Sequence, residues 1–400
     1  MRDRIAVFTV FALNGLAVGS WATRTPALTA QVHASPGVFG LALLAASVGL
    51  LAAASVSGRI VERAGARASV AVSTGLAAVS LVLIGFAPVV PLLAGALFVM
   101  GVSIGMLDVA MNVAAVAVER RSGRPLMPVF HAGFSFGALA GSLAAGLAAG
   151  HGWSPARHLT AAAVVTVVVL VSMIRAVPGI RPRHAAGPVV TAGRRAPVRR
   201  PVLWLLAAVA LCSAIAEGAA GDWSALLMTA ERGVGPGAAA LAFAGFQLVM
   251  TLVRLAGPWV QRRLGPTRCL VGGAALATAG LLATATIPVA AAGYVGFALA
   301  GAGLAASFPL ALSLAGDAGK RADGTGGERE IGFVTAIAYT GFLGGPPLIG
   351  GIAQAAGYGV AFLFVALVAA LILPAAIAAR RSRRREEAGQ VAGRFRPDRA

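Results

Sequence analysis

Three acidic residues lie inside long apolar segments of this sequence, at Asp108, Glu217 and Asp222. An ionisable side chain costs about 2.5–3.5 kcal/mol to place at the centre of a bilayer, so a residue of this kind calls for a functional explanation. A carboxylate in a low-dielectric cavity can bind and release a proton near neutral pH. The presence of Asp108 and Glu217 therefore predicts that the activity of the protein is coupled to protons. The alternative is a carboxylate neutralised by Arg24 or Arg254 that only holds helices together.

Four further polar residues occupy the same apolar segments. Asn112 follows Asp108 by four residues, so both side chains share one face of a helix. The titration range of His131 suits a proton relay, although a single histidine can also just satisfy a neighbouring carbonyl. Asn14 and Gln247 could donate hydrogen bonds to a polar solute, or could link neighbouring helices.

The ends of two apolar segments carry a second group of candidates. Arg24 either extends its charged head to the membrane surface or contacts an anionic group, such as a substrate or Asp222 in an ion-pair gate. Trp21 and Trp223 suit the aromatic belt at a membrane interface. They also suit a platform on which a sugar ring could stack.

Other kinds of chemistry find little support. The two cysteines, Cys212 and Cys269, provide neither a disulfide framework nor a set of metal ligands. The sequence has no G-x4-G-K-[ST] phosphate loop and no Ser/His/Asp cluster, so it predicts no cofactor, no metal and no enzyme. An intramembrane enzyme is the remote alternative, because Asp and His residues lie in apolar segments. A passive channel is a further alternative.

The segments that must position these residues are predicted to cross a membrane. Of the 400 residues, 58% are hydrophobic and only 12% are charged, and the mean hydropathy is +0.84. A hydrocarbon core about 30 Å thick requires roughly 20 apolar residues per helix. Twelve stretches meet this length, at 5–31, 37–57, 68–87, 91–118, 126–149, 158–177, 202–229, 236–257, 269–289, 293–315, 331–356 and 358–378. The expected fold is an all-α polytopic membrane protein.

Basic residues fall almost wholly on one side of these twelve spans. All but four of the 33 Lys and Arg residues lie at the termini or in even-numbered connections, the exceptions being Arg24, Arg157, Arg232 and Arg254. Basic loops stay cytoplasmic, so both termini are predicted to face the cytosol, as in a multi-pass protein of the cell inner membrane. The net charge of +19 is explained by this topology and by anionic lipid headgroups rather than by nucleic acid.

The sequence also repeats itself weakly at about 200 residues. Three short patterns recur at offsets of 202, 200 and 204 residues: Gly19-Ser20-Trp21 as Gly221-Asp222-Trp223, Arg63 to Arg67 as Arg263 to Arg268, and Gly137-x3-Gly141 as Gly341-x3-Gly345. Parallel repeats are typical of transporters built for alternating access. We therefore predict a six-helix half at 1–178, a basic cytoplasmic linker at 179–200, a second six-helix half at 201–378, and a disordered basic cytoplasmic tail at 379–400.

The loop after the second span carries a recognisable pattern. Gly58-x3-Glu62-Arg63-x-Gly65-x-Arg67 resembles the loop motif of the major facilitator superfamily, G-x3-D-R-x-G-R-R, with Glu in place of Asp and Ala at the first of the two closing basic positions. The resemblance implies that this loop clamps the two halves together in the outward-open state. The second copy has Arg262 where the first has Glu62, so the clamp is expected to be asymmetric.

Within that superfamily the chain resembles the YbjJ and fucose-permease group. The patterns that carry this likeness are Ser20-Trp21-x2-Arg24-x-Pro26, Asp108-x3-Asn112 and His131-x2-Phe134-Ser135-x-Gly137. The superfamily places helices 1, 4, 7 and 10 around a central cavity, which would direct Asp108 and Glu217 at the transport path.

The resemblance implies a secondary-active transporter that moves a small polar solute, a sugar being one candidate, by alternating access and symport with protons. The partners expected are this solute, protons and the lipid bilayer, with the chain acting as a monomer. The alternative is an efflux exporter, a drug or metabolite:proton antiporter. Ser135 and Phe136 stand in helix 5 where the antiporter signature requires a proline, which counts against that alternative.

Overall fold

The structure is a computed structural model that describes residues 1–123, 126–181, 198, 200–320 and 326–394. These residues form α-helices and, among them, no β-strand. The helices are α1 (Arg2–Ala22), α2 (Thr25–Gln31), α3 (Pro36–Ala64), α4 (Ala66–Phe86), α5 (Val90–Ser122), α6 (Met127–Gly150), α7 (Pro155–Met173), α8 (Pro201–Ala230), α9 (Pro236–Leu264), α10 (Pro266–Thr286), α11 (Ala290–Leu304), α12 (Ser307–Gly319), α13 (Glu328–Ala356), α14 (Tyr358–Ala370) and α15 (Ile372–Arg394).

Twelve helical segments in the described part of the chain are long and apolar enough to cross a membrane. The predicted all-α, twelve-span fold is therefore confirmed. We call α1–α7 the N half and α8–α15 the C half. The fifteen helices make twelve spans because the short helix α2 is not a span, α11 and α12 together form the tenth span, and α14 and α15 form the twelfth.

Three spans that were predicted as continuous helices are broken: the predicted span 358–378 is interrupted at Leu371, between α14 and α15, and a proline explains each of the other two breaks. The predicted span 5–31 ends as α1 at Ala22, four residues before Pro26. The predicted span 293–315 is interrupted after Leu304, and Ala305 lies four residues before Pro309. A proline cannot donate to the carbonyl four residues earlier, and its ring displaces that carbonyl from the helix.

The end of the chain differs from its prediction as well. The last helix, α15, continues to Arg394, so residues 380–394 are helical rather than disordered. Arg, Glu and Ala, which dominate this segment, all have high helix propensity. Predicted linker residues 182–197 and 199, and residues 395–400 of the predicted tail, lie outside the described part of the chain.

The two halves match closely around one turn. The helix pair α3 and α4 is repeated by α9 and α10 at an offset of 200 residues, with the same helix lengths of 29 and 21 residues. The turn between the helices uses Gly65 in the first copy (φ 84°, ψ 155°) and Gly265 in the second (φ 76°, ψ 161°). Only glycine adopts this backbone conformation without strain, so the loop pattern requires its glycine for geometric reasons.

Glycines also allow neighbouring helices in the N half to touch through their backbones. A Cβ atom added at Gly15 would overlap the backbone of Phe134 in α6, and one added at Gly137 would overlap the backbone of Ala12 in α1. Helices α3 and α5 meet in the same way at Gly101, against the backbone of Ala46. Small residues favour such packing in membranes. Helices that are already surrounded by lipid gain no hydrophobic stabilisation when they associate, so close backbone contact must provide it.

We predict that Gly137→Val destabilises the folded protein severely. The added side chain would collide with the main chain of Ala12, which cannot move aside as a side chain can. Overpacking of this kind costs roughly 1–3 kcal/mol even where side chains can adjust. Thermal unfolding of detergent-solubilised protein, followed by size-exclusion chromatography, measures the effect.

The matched control is Gly95→Val. Gly95 is helical and exposed, and an added Cβ would meet nothing within 4 Å. Both variants carry the same penalty for valine in a helix, so equal loss of stability in the two would show that the α1–α6 contact does not limit stability.

Candidate functional site

In the residues that the structure describes, contacts between the two halves run from the middle of the bundle, where the Ser47 hydroxyl of α3 donates to the Phe342 carbonyl of α13, to one end. We call this the closed end; it carries the α2 helix and the turn before α9. Here Gln354 of α13 accepts hydrogen bonds from the Ser35 hydroxyl (2.9 Å) and the Gly37 amide (3.0 Å). Gly146 of α6 lies against the backbone of Gly237 in α9.

The other end, which carries the start of α1 and the end of α15 and which we call the open end, shows a different pattern. In α9 every buried residue lies between Ala239 and Met250, whereas none of residues 251–264 is buried. Other described elements therefore cover the open-end part of α9 only partly.

A salt bridge lies at mid-span in the C half. Arg254 of α9 contacts the Glu217 carboxylate of α8 at 3.4 Å, and their side chains are 25% and 24% exposed. The Ser213 hydroxyl, one turn earlier on α8, donates to the same carboxylate at 3.1 Å. A charged pair that retains this exposure deep in a helical bundle lines a solvated space.

The break between α11 and α12 contributes to the same site. Pro309 leaves the carbonyl of Ala305 without its helical donor, and the Nε of Arg254 donates to that carbonyl at 3.1 Å. An unsatisfied carbonyl is costly inside a membrane, so a broken helix there needs a substitute donor. Arg254 of α9 thus connects three elements. It forms a salt bridge with Glu217 of α8 and a hydrogen bond with the Ala305 carbonyl at the break in the tenth span.

Asp108 and Asn112 form the facing part of the site in the N half. The Asn112 side chain donates to both the backbone carbonyl (2.7 Å) and the carboxylate (3.2 Å) of Asp108 on α5. No cation lies within ion-pair distance of Asp108 among the described residues. In the described structure this half-buried carboxylate is therefore supported by hydrogen bonds and not by a counter-charge.

Two electrostatic interactions cross between the halves at this level. Asp108 of the N half acts on the hydroxyl of Tyr339 in α13. Arg254 of the C half acts on the imidazole of His131 in α6, which packs edge-on against Phe11 with ring centroids 5.2 Å apart. Charged and polar groups of five helices therefore converge on the space between the halves.

Three other predicted residues do not join this cluster. Asn14 is buried in the N half, where its amide nitrogen contacts the Met111 sulfur at 3.8 Å. Gln247 is buried on the closed-end half of α9. Asp222 lies five residues beyond Glu217, about 140° around the helix, and forms no hydrogen bond or ion pair with any described residue.

Arg24, Trp21 and Trp223 are buried near the closed end. Arg24 is 3% exposed and donates to the backbone carbonyl of Trp153, so it does not extend to the surface, and it forms no ion pair with Asp222 in the described structure. Trp223 of the C half is fully buried against Phe39 of the N half, with ring centroids 5.7 Å apart. Trp21 is buried within the same core.

The residues of the predicted clamp lie at the open end. Gly58 and Arg63 are exposed, and a Cβ added at Gly58 would meet nothing within 4 Å. Arg67 donates to the backbone carbonyl of Val177 at 2.7 Å, within its own half. Glu62 is half-buried on the last turn of α3. In this state, Arg63 and Arg67 therefore form no described contact with the C half.

The sequence did not single out Arg254, Tyr339 or the break at Ala305 as parts of one site. Arg254 was identified only as a partner that could neutralise an acid. The available signal was Pro309 inside a predicted span, because a proline there releases the carbonyl of Ala305 and creates the need for a donor.

Comparison with known proteins identifies the family to which this arrangement belongs. The family model described as Major Facilitator Superfamily matches residues 7–327. An MFS-type transporter of Yersinia pestis, described as uncharacterized, is 30% identical over 380 residues, which cover 94% of this chain and 95% of that protein. The chain belongs to the major facilitator superfamily. It is accordingly a secondary transporter of a small molecule across a membrane.

Solved structures of the superfamily share its fold. A variant of the nucleoside transporter NupG matches this MFS transporter with a TM-score of 0.78 at 13% identity, over 94% of this chain and 99% of that one. A variant of the E. coli fucose:proton symporter FucP matches with a TM-score of 0.62 at 19% identity, over 94% and 98%. At such identities the likeness shows the fold alone.

We predict that Trp223→Ala opens the closed end of the transporter. Removing a buried aromatic side chain costs about 3–5 kcal/mol, and part of that loss falls on the contact with Phe39 across the two halves. Spin labels at His151 and Val289, exposed residues of opposite halves, should show an increased population at longer distance by pulsed electron resonance in a cysteine-free background.

The control for this variant is Trp204→Ala. Trp204 is exposed and packs against Phe333 in its own half, so its loss should leave the labelled distance unchanged. A distance distribution in Trp223→Ala identical to that of the parent would show that Trp223 does not hold the closed end.

Proposed function

We propose that this MFS transporter accumulates a small polar solute by symport with protons. The observation that carries the proposal is the pairing of two unlike sites across one solvated space. The C half presents Glu217 already neutralised by Arg254 at 3.4 Å, whereas the N half presents Asp108 supported only by Asn112.

This difference suggests separate roles for the two acids. When the halves close over the site, Asp108 loses its solvent, and a carboxylate in that position needs a proton or a bound cationic group. Glu217 has a permanent counter-charge and can stay ionised through the same movement. We therefore assign proton coupling to Asp108 and substrate contact and gating to the Glu217–Arg254 pair.

The chemistry of the site favours a solute rich in hydroxyl groups. Asp108 and Glu217 accept hydrogen bonds, Arg254 donates them, and Tyr339 and Asn112 do both. A sugar or a similar polyol would satisfy such a set. That NupG is a nucleoside transporter and FucP a fucose:proton symporter supports a polar substrate and proton coupling for this chain as well.

We further propose that the open end faces the cytoplasm. Most of the described basic residues lie at this end, which includes the start of α1, the end of α15 and the loop between α3 and α4, and basic loops are retained in the cytoplasm. The structure would then be an inward-open state, with the substrate released toward the cell interior, and the protein would lie in the cell inner membrane.

We predict that Asp108→Asn abolishes uphill accumulation while sparing exchange. The amide keeps the size and the hydrogen bonds of the side chain but cannot carry a proton, so a loss of about 100-fold or more in gradient-driven uptake is expected, as is usual for the loss of an essential acid–base group. Sealed vesicles loaded with candidate sugars, with and without a proton gradient, allow uptake and counterflow exchange to be compared.

Two other variants make this test specific. Glu217→Gln removes the counter-charge of Arg254 and should weaken exchange as well as accumulation. Asp317→Asn alters an exposed acid at the open end that pairs with Lys320 and should change neither. Accumulation that persists in Asp108→Asn would leave Asp108 with a structural role, and gradient-driven efflux from the vesicles would favour an exporter.

The loop between α3 and α4 is proposed to clamp the open end when it closes. Arg63 is exposed in the present state, so its removal should cost little here. When the open end closes, Arg63 would form an ion pair with an acidic residue of the opposite half. Arg63→Ala should therefore shift the population toward the present state, by at most a few kcal/mol.

Spin labels at Arg120 and Leu264, exposed residues of opposite halves at the open end, measure this shift as a larger fraction of long distances. Arg262→Ala, at the position matching Glu62 in the second copy, removes an equivalent exposed charge and serves as the control. A shorter or unchanged distance in Arg63→Ala would contradict the clamp.

A further inference from the structure

One hydrogen bond joins the two halves at the middle of the bundle, between a side chain and a main chain. The Ser47 hydroxyl of α3 donates to the carbonyl of Phe342 in α13. Among the described hydrogen bonds between the halves it lies nearest to the central site, because Tyr339, on which Asp108 acts, is only one turn away from Phe342. We call this hydrogen bond the Ser47 latch.

Pro346 explains why the Phe342 carbonyl accepts a hydrogen bond from another helix. In a regular α-helix this carbonyl would accept from the backbone amide four residues later. That residue is Pro346, which lies inside α13 and has no amide hydrogen to donate. An unsatisfied carbonyl is costly inside a membrane, and the Ser47 latch satisfies this one from the opposite half.

Ser47 uses its hydroxyl differently from the two serines that follow it on α3. Ser55 and Ser57 donate to carbonyls of their own helix, as serine side chains in helices commonly do. If the halves part, the Ser47 hydroxyl can turn back to its own helix in the same way, whereas the Phe342 carbonyl loses its donor. The cost of breaking the latch therefore falls on α13.

Close backbone packing between α3 and α13 brings the two groups together. Gly40 lies against the carbonyl of Pro346 and against Gly350. Ser47 follows Gly40 by seven residues and Phe342 precedes Gly350 by eight, which are the spacings of residues on one face of a helix. The glycine contact and the latch therefore share one interface, and a movement that parts the glycines at the closed end also pulls the latch apart.

We propose that the Ser47 latch holds the closed end shut in the present state, which makes Ser47 a positioning residue of the transport cycle. Its hydroxyl provides the hydrogen bond that Pro346 removes from α13. The Phe342 carbonyl thus has this donor only while the closed end is closed. The inference does not depend on the substrate or on proton coupling.

The test compares Ser47→Ala with the parent by pulsed electron resonance, with spin labels at His151 and Val289 in cysteine-free protein and without added solute or proton gradient. Loss of a hydrogen bond of ordinary strength should raise the ratio of long to short distances about 2- to 10-fold. Ser47→Thr keeps the hydroxyl and should stay within about twofold of the parent. Ser55→Ala, at an exposed serine that bonds within α3, should not change the ratio.

Two proline variants show whether the latch acts through the Phe342 carbonyl. Pro346→Ala restores a backbone amide at the position that donates to this carbonyl, so adding Ser47→Ala should then change the ratio by less than about 1.5-fold. Pro347→Ala is the matched control, because its new amide would donate to the carbonyl of Leu343 instead. In that background Ser47→Ala should keep its full effect.

Three results would overturn the proposal. An unchanged ratio in Ser47→Ala, even with a lowered temperature of unfolding, would leave Ser47 with a structural role only. An equal shift in Ser55→Ala would mean that the labels respond to any change in α3. An effect of Ser47→Ala that is as large with Pro346→Ala as without it would assign that effect to side-chain packing rather than to the carbonyl.

Discussion

The arrangement of the central site depends on one unsatisfied backbone carbonyl. Pro309 releases the carbonyl of Ala305, a residue that is itself buried, and a long side chain from a neighbouring helix reaches it. Arg254 does so, but an arginine placed there carries a charge that needs its own partner. Glu217 provides that partner. A break in one helix, a cation on a second and an anion on a third are therefore consequences of each other.

This chain of dependence exists in one half only, although the two halves repeat. The fourth span is the continuous helix α5. No proline interrupts it, so none of its carbonyls needs a hydrogen bond from an arginine, whereas the tenth span is divided into α11 and α12. Asp108 on the unbroken helix is left with an amide as its neighbour. The repeat thus provides two similar frames, and the acids of the two halves differ in how their charge is compensated.

Much of the fold could be predicted from the sequence, because the physical constraint is simple. Spans about 20 residues long, separated by basic loops, have few alternatives in a bilayer, so the twelve helices were found. The turn at Gly65 and its copy at Gly265 were also visible, since a pattern of charged residues around a glycine survives in both halves.

The assembly of the site was less predictable, because it depends on contacts between residues far apart in the chain. Hydropathy does not register the break at Ala305, since alanine and leucine continue through it, and only the later proline reveals it. The burial of Trp223 against Phe39 depends on how the halves meet, which no local pattern encodes. The sequence therefore identified candidate site residues one at a time, whereas the contacts between them could be seen only in the structure.

The glycines at the boundary between the halves have a mechanical consequence. At the closed end, Gly40 lies against the backbone of Pro346 and Gly350, and Gly146 lies against Gly237. Side chains that interdigitate across a boundary must be withdrawn before the surfaces can part, which makes such an interface stiff. Surfaces made of bare main chain can instead roll over each other with little resistance. The joint thus combines a few interdigitated side chains, such as Trp223 and Phe39, with glycine contacts that offer little resistance when one half rotates against the other.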